Sequence, residues 1–169
     1  MVPASVSSVL SSASLVGFSG SRSSVPAVAG SVASLVSCAV VVGCARGVDS
    51  FFRGAFPLAR VFSVSAFGSG RGAFAARSAA FVRALATGGG VLVSFPSSPC
   101  PAGLLPSASS SRAFCGSGSG SWASLAFAVG SGVPCFVFAP FGVPSGWGFA
   151  ACGGGWFSFA PVAVQASLF

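Results

Sequence analysis

Arginines set among glycines and serines are the residues of this sequence whose type and spacing could do chemistry. Gly20, Ser21 and Arg22 end one short apolar run, and Gly43, Arg46, Gly47 and Asp49 follow a second. Gly70 lies beside Arg71, while Arg112 is followed by Gly118, Ser119, Gly120 and Ser121. Small residues let backbone N–H groups approach phosphate oxygens closely, and a guanidinium fork binds such oxygens two at a time. A helix that starts at such a loop adds the partial positive charge of its N-terminus. The expected chemistry is therefore recognition of an anion, with these residues as candidate phosphate contacts.

Catalysis finds less support. The chain has no histidine, lysine, tyrosine or glutamate, and Asp49 is its single acid. Ser19, Ser21 and Cys44 thus lack a general base, which excludes nucleophilic catalysis of the Ser-His type and leaves no catalytic residue to name. The six cysteines form no CxxC pair, so neither a zinc site nor any other metal or cofactor is expected. Asp49 has two structural readings beside the functional one: it could cap a helix, or pair with Arg53 one turn on. Arg53, Arg77 and Arg83 read as solvating helix faces. Trp122 reads as core, with stacking on a base as the alternative.

The whole composition is unusual: 53% hydrophobic, 5% charged, and a net charge of +7 that comes from arginine alone. Residue types with adenine at the second codon position are missing except for Asp49 and Gln165. This pattern implies a coding strand nearly devoid of adenine, and ordinary adenine content in the gene would refute it. Such a bias inflates hydropathy, so a mean hydropathy of +0.91 does not by itself announce membrane helices. The charge-free stretches are interrupted by Gly30, Ser31, Gly43, Gly130, Gly132 and Pro134 rather than filled with Leu and Ile. No basic residue precedes Arg22, which argues against a secretory leader. A cytoplasmic protein with reduced thiols and no membrane association is expected.

The elements that must position the arginines alternate. Residues 1–14 carry no strong pattern and read as a loose lead-in. Strands are expected at Leu15–Ser19, Ala39–Val42, Ala59–Val64, Val91–Phe95 and Cys135–Ala139. Helices are expected between them: one carrying Val25, Val28, Val32, Leu35 and Val36, a short one through Phe56, one over about Ala73–Ala86, and Trp122–Val129. On the third of these helices Phe74, Phe81, Val82 and Leu85 share an apolar arc, and Arg83 points away. Strands alternating with helices predict an α/β fold with a mainly parallel sheet, Rossmann-like and three-layered, over residues 15–140. The tail, 141–169, with Trp147, Trp156, Phe157 and Phe159 among glycines, reads as a hairpin or edge extension packed on the same domain. In such a sheet, ligands sit beyond the carboxyl ends of the strands.

Together these segments resemble the DNA-processing protein A (DprA/Smf) family, within the wider lysine-decarboxylase-like (LOG) group of nucleotide binders. Val16-Gly17-Phe18-Ser19-Gly20-Ser21-Arg22 is similar to that family's Gly-x-Arg turn after the first strand. Gly43-Cys44-Ala45-Arg46-Gly47-Val48-Asp49 is similar to its Ser-Gly-x-Ala-Arg-Gly-x-Asp turn, with Val42 in place of the serine. Ser111-Arg112 resembles the start of its Arg-Asn-Arg motif, where Ala113 and Phe114 replace the last two residues, and Gly118 to Trp122 resembles its Ser-Gly-Ser/Thr turn. The resemblance covers roughly Leu15 to Ala139. It implies single-stranded DNA binding, with phosphate contacts by Arg22, Arg46 and Arg112. The related phosphoribohydrolases use a glutamate that this sequence does not have.

The expectation is a non-enzymatic module binding single-stranded DNA or a nucleotide. Two alternatives stay open: a nucleotide-processing enzyme with Asp49 as its only carboxylate, and a membrane or assembly protein. The apolar fourth strand and aromatic tail are compatible with a homo-oligomer.

Overall fold

A computed structural model describes residues 1–161. In chain order the elements are α1 (Ala4–Ser12), β1 (Leu15–Gly20), α2 (Val28–Ala33), β2 (Ala39–Gly43), α3 (Val48–Ala55) and β3 (Arg60–Phe62). After a 3₁₀ turn (Val64–Phe67) come α4 (Arg71–Thr87), β4 (Val91–Phe95), α5 (Ser110–Ala113), α6 (Gly120–Gly130), β5 (Cys135–Phe138), β6 (Ala150–Gly153) and β7 (Trp156–Phe159). One sheet of seven strands runs in the order β3-β2-β1-β4-β5-β7-β6. The five strands from β3 to β5 are mutually parallel, whereas β7 pairs antiparallel with both β5 and β6.

The central strands β1, β2, β4 and β5 are uncharged because they are covered on both sides. Alternate residues feed two separate cores. Val41, Leu92 and Val137 pack with Phe81, Val82 and Leu85 of α4 and Trp122 and Leu125 of α6. Val40, Val42, Val91 and Val93 pack with Val6 and Leu10 of α1, Val32 of α2 and Phe52 of α3. Gly17 in β1 makes room for α4, since a Cβ there would stand 2.6 Å from a methyl of Leu85. Phe18 of β1 stacks on Phe52 with ring centroids 3.7 Å apart, fastening α3 to the sheet.

Three expectations change. The lead-in is helical: α1 carries no charge, yet Val6 and Leu10, four residues apart on one face, are fully buried. The helix expected over Val25–Val36 is only six residues long, and the chain leaves it through i→i+3 turns, Leu35 N–H to Val32 O and Val36 N–H to Ala33 O. Phe74 is not core: it is 42% exposed, while Phe81, Val82 and Leu85 are buried. The described part of the tail, 141–161, contains the β6–β7 hairpin, joined to the sheet through β5 and anchored by fully buried Trp156, and buries Trp147 as well; residues 162–169 lie outside the described residues. Among the described residues no helix is long and apolar enough to cross a membrane.

Candidate functional site

Chain order reverses direction across the sheet between β1 and β4: β2 and β3 lie on one side of this pair and β5 on the other. Loops leaving β1 and β4 therefore turn opposite ways, which opens a crevice beyond their carboxyl ends. A cleft of about 740 Å³ occupies that position. Ser19 to Ser23 line it at and beyond the end of β1, Gly43, Ala45 and Asp49 at and beyond the end of β2, and Ser97 and Ser98 after β4. The far wall is Gly116 to Ser121, leading into α6. One face of α4 completes it with Arg71, Phe74, Ala75, Ser78 and Phe81, which recur at helical spacing, together with Arg77.

The structure thus brings together Gly20, Ser21, Arg22, Gly43, Asp49, Gly118, Ser119, Gly120 and Ser121. Arg46, Gly47, Gly70 and Arg112 are not among the lining residues. Arg46 and Arg112 are exposed. Gly70, at φ +85°, is the N-cap of α4, next to Arg71. Gly47, at φ +69°, welds two loops: Val48 N–H donates to Ser21 O at 2.9 Å, and a Cβ on Gly47 would collide with that same carbonyl.

Several of the candidates serve the scaffold. The Ser21 hydroxyl accepts the N–H groups of Ser23 (3.1 Å) and Ser24 (3.3 Å), holding the turn that carries Arg22. Ser119 caps α6 by accepting the Trp122 N–H at 3.3 Å. The Trp122 ring itself is fully buried, and its indole N–H donates to Ser98 O at 2.8 Å. Its surface is spent on the core and none is left for a base.

Asp49 neither caps a helix nor pairs with Arg53. Gly47 occupies the N-cap of α3, and the Asp49 carboxylate turns back to accept the Ala45 N–H at 3.1 Å. Its ion-pair partner is Arg77, 3.5 Å away from α4. Both side chains pass over Gly43, where any Cβ would collide with them. Arg53 instead donates to Gly43 O (2.8 Å) and Ala45 O (2.9 Å), tying down the turn after β2. Arg77, expected on a solvated face, is only 8% exposed. The bare Cα of Gly43 leaves the Arg77 guanidinium room to lie inward. Burial raises the Asp49 carboxyl above the ordinary carboxylate range, more than the Ala45 N–H and then Arg77, Arg53 and Arg22 lower it.

Toward the cleft the chain presents cations and hydroxyls beside apolar side chains such as Phe74. Arg22 and Arg71 are exposed at the rim and Arg77 forms part of the wall. The Nε of Arg77 and the hydroxyl of Ser117 are buried without a hydrogen-bond partner. Phe74, Arg77, Ser97 and Ser98 were not among the sequence candidates; the helical spacing of residues 71, 74, 78 and 81 was the available signal for the α4 face. No family model, curated protein or solved structure matches this chain.

Proposed function

We propose that this is a Rossmann-like three-layer domain whose cleft binds a phosphorylated ligand, a nucleotide or the backbone of single-stranded DNA, without transforming it. The observation that carries this reading is the lining itself. Three arginines and two glycine–serine loops converge on one cleft at the β1/β4 crossover, where an open parallel sheet binds ligands. Arginine forks, backbone N–H groups and the first turn of α6 all favour negative charge. The single nearby carboxylate is engaged by Arg77 and the Ala45 N–H, so it does not oppose an anion as a free charge would. The DNA strand enters the proposal through the resemblance of the Gly43 to Asp49 turn to the DNA-processing protein A family.

Native mass spectrometry with and without a nucleotide panel and a short oligonucleotide gives ligand class and stoichiometry together. Arg22→Ala and Arg71→Ala are each expected to weaken binding and to lower the salt slope by about one. The exposed Arg46 and Arg112 should matter less, and only for the longer ligand. Unchanged affinity and salt slope in the Arg22 and Arg71 variants would overturn the assignment. Turnover of a nucleotide that vanishes in Asp49→Asn with the fold intact would replace it with the enzymatic reading.

A further inference from the structure

Phe74 is an anomaly on α4. A large aromatic ring at 42% exposure on a helix whose other face packs into the core keeps apolar surface in water, which is unfavourable. It lines the cleft. The Arg22 guanidinium, carried by the turn after β1, lies over its ring at 5.0 Å from the centroid. The nearby glycines leave space: a Cβ at Gly70 or Gly72, or at Gly116, Gly118 or Gly120 on the facing wall, would meet no atom within 4 Å. The cleft therefore offers a flat aromatic surface and a flat cation at its mouth, with phosphate-type donors deeper along the wall.

From this juxtaposition of Arg22 and Phe74 at the mouth of the cleft, we infer that Phe74 is the stacking platform for a planar aromatic group of the ligand, so that the cleft selects base-bearing phosphates over sugar phosphates. The inference rests on the phosphate-binding reading above and adds the base to it. Every nucleobase has a π-face, so stacking on Phe74 tolerates any base. Arginine planes stack on bases as they do on phenyl rings, and Arg22, which lies over the ring, must swing outward to cover the base from its other side. A single exposed ring sets no sequence preference.

The test compares AMP with ribose 5-phosphate, and a short oligothymidylate with an abasic phosphodiester of equal length, on the wild type, Phe74→Ala and Phe74→Trp. The exposed position makes both substitutions compatible with folding, which far-UV circular dichroism checks. Phe74→Ala is expected to weaken AMP about tenfold and leave ribose 5-phosphate unchanged, and Phe74→Trp is expected to restore or strengthen AMP. The oligonucleotide pair separates sources of the base: selective loss with AMP alone assigns a free nucleotide, and selective loss with oligothymidylate assigns a strand. Equal wild-type affinity for AMP and ribose 5-phosphate together with equal affinity for the two polymers, or equal losses for both members of each pair in Phe74→Ala, would overturn the stacking role while leaving the phosphate site standing. Absence of binding by all four probes would overturn the phosphate site and the stacking role together.

Discussion

Burial at Asp49 opposes its charge more strongly than its partners support it, and this fixes the sign of its contribution to stability. The folded-state pKa lies above the ordinary value of 3.8, so between the two values the folded chain holds the proton that the unfolded chain has released. Stability from this group is therefore fully present below the unfolded value and is lost as pH rises through the folded one. Urea midpoints measured from pH 3.5 upward should show that negative slope in the wild type and not in Asp49→Asn; equal slopes would remove the effect. Asp49→Ala is a different perturbation, since it strands buried Arg77 and the Ala45 N–H. It should cost about 3 kcal/mol, and a loss no larger than that of Asp49→Asn would show that Arg77 finds water instead. The thiols diverge for the same reason: burial pushes Cys135 far up, while Cys115 is exposed. Iodoacetamide mapping should find Cys115 alkylated in the native protein and Cys135 only after unfolding.

At the scale of elements, the cleft depends on where two helices begin and on how two loops lock. Ser119 satisfies one orphan N–H of α6, so Ser119→Ala should lower stability by about 1 kcal/mol. The same change loosens the turn that forms the far wall of the cleft, and phosphate affinity should fall with it. Gly47 faces a stricter demand. Its φ of +69° and the carbonyl of Ser21 against its Cα both exclude a side chain, so Gly47→Ala should cost about 2 kcal/mol or more. Because the β1 and β2 loops meet at this residue, the substitution should displace Arg22 and weaken ligand binding along with stability. A Gly47→Ala variant with wild-type midpoint and affinity would show that the two loops are independent.

The whole molecule carries a net charge of +7 with one acid to offset it, and one ion pair joins the described residues. All eight arginines fall between residues 22 and 112, which leaves α6, β5 and the β6–β7 hairpin without side-chain charge. Like charges on the arginine-bearing part repel in the compact state. Added sodium chloride should therefore raise Tm, by roughly 2–4 °C for each kcal/mol of repulsion screened, and it should weaken anion binding at the same time. A Tm that falls with salt would mean that attractive rather than repulsive charge contacts dominate.

The sequence alone determined the alternation of elements, because a buried parallel strand such as Val91–Phe95 must be apolar on both faces and glycine or proline stands at the end of β1 and β2 and within two residues after β4 and β5. It likewise determined that the loops rich in glycine and arginine would follow strands. Helix α1 escaped notice because two buried residues, Val6 and Leu10, are too few to mark a period in a chain whose exposed positions are also Val, Ala and Ser. The fate of the ion pair was equally illegible: Asp49 and Arg77 are 28 residues apart, and only the packing of α4 over Gly43 makes them neighbours. Tertiary structure alone also decided that Phe74 faces the cleft and Arg77 the interior. Periodicity assigns residues to the faces of a helix, but which face meets the sheet depends on the elements that the helix is laid against.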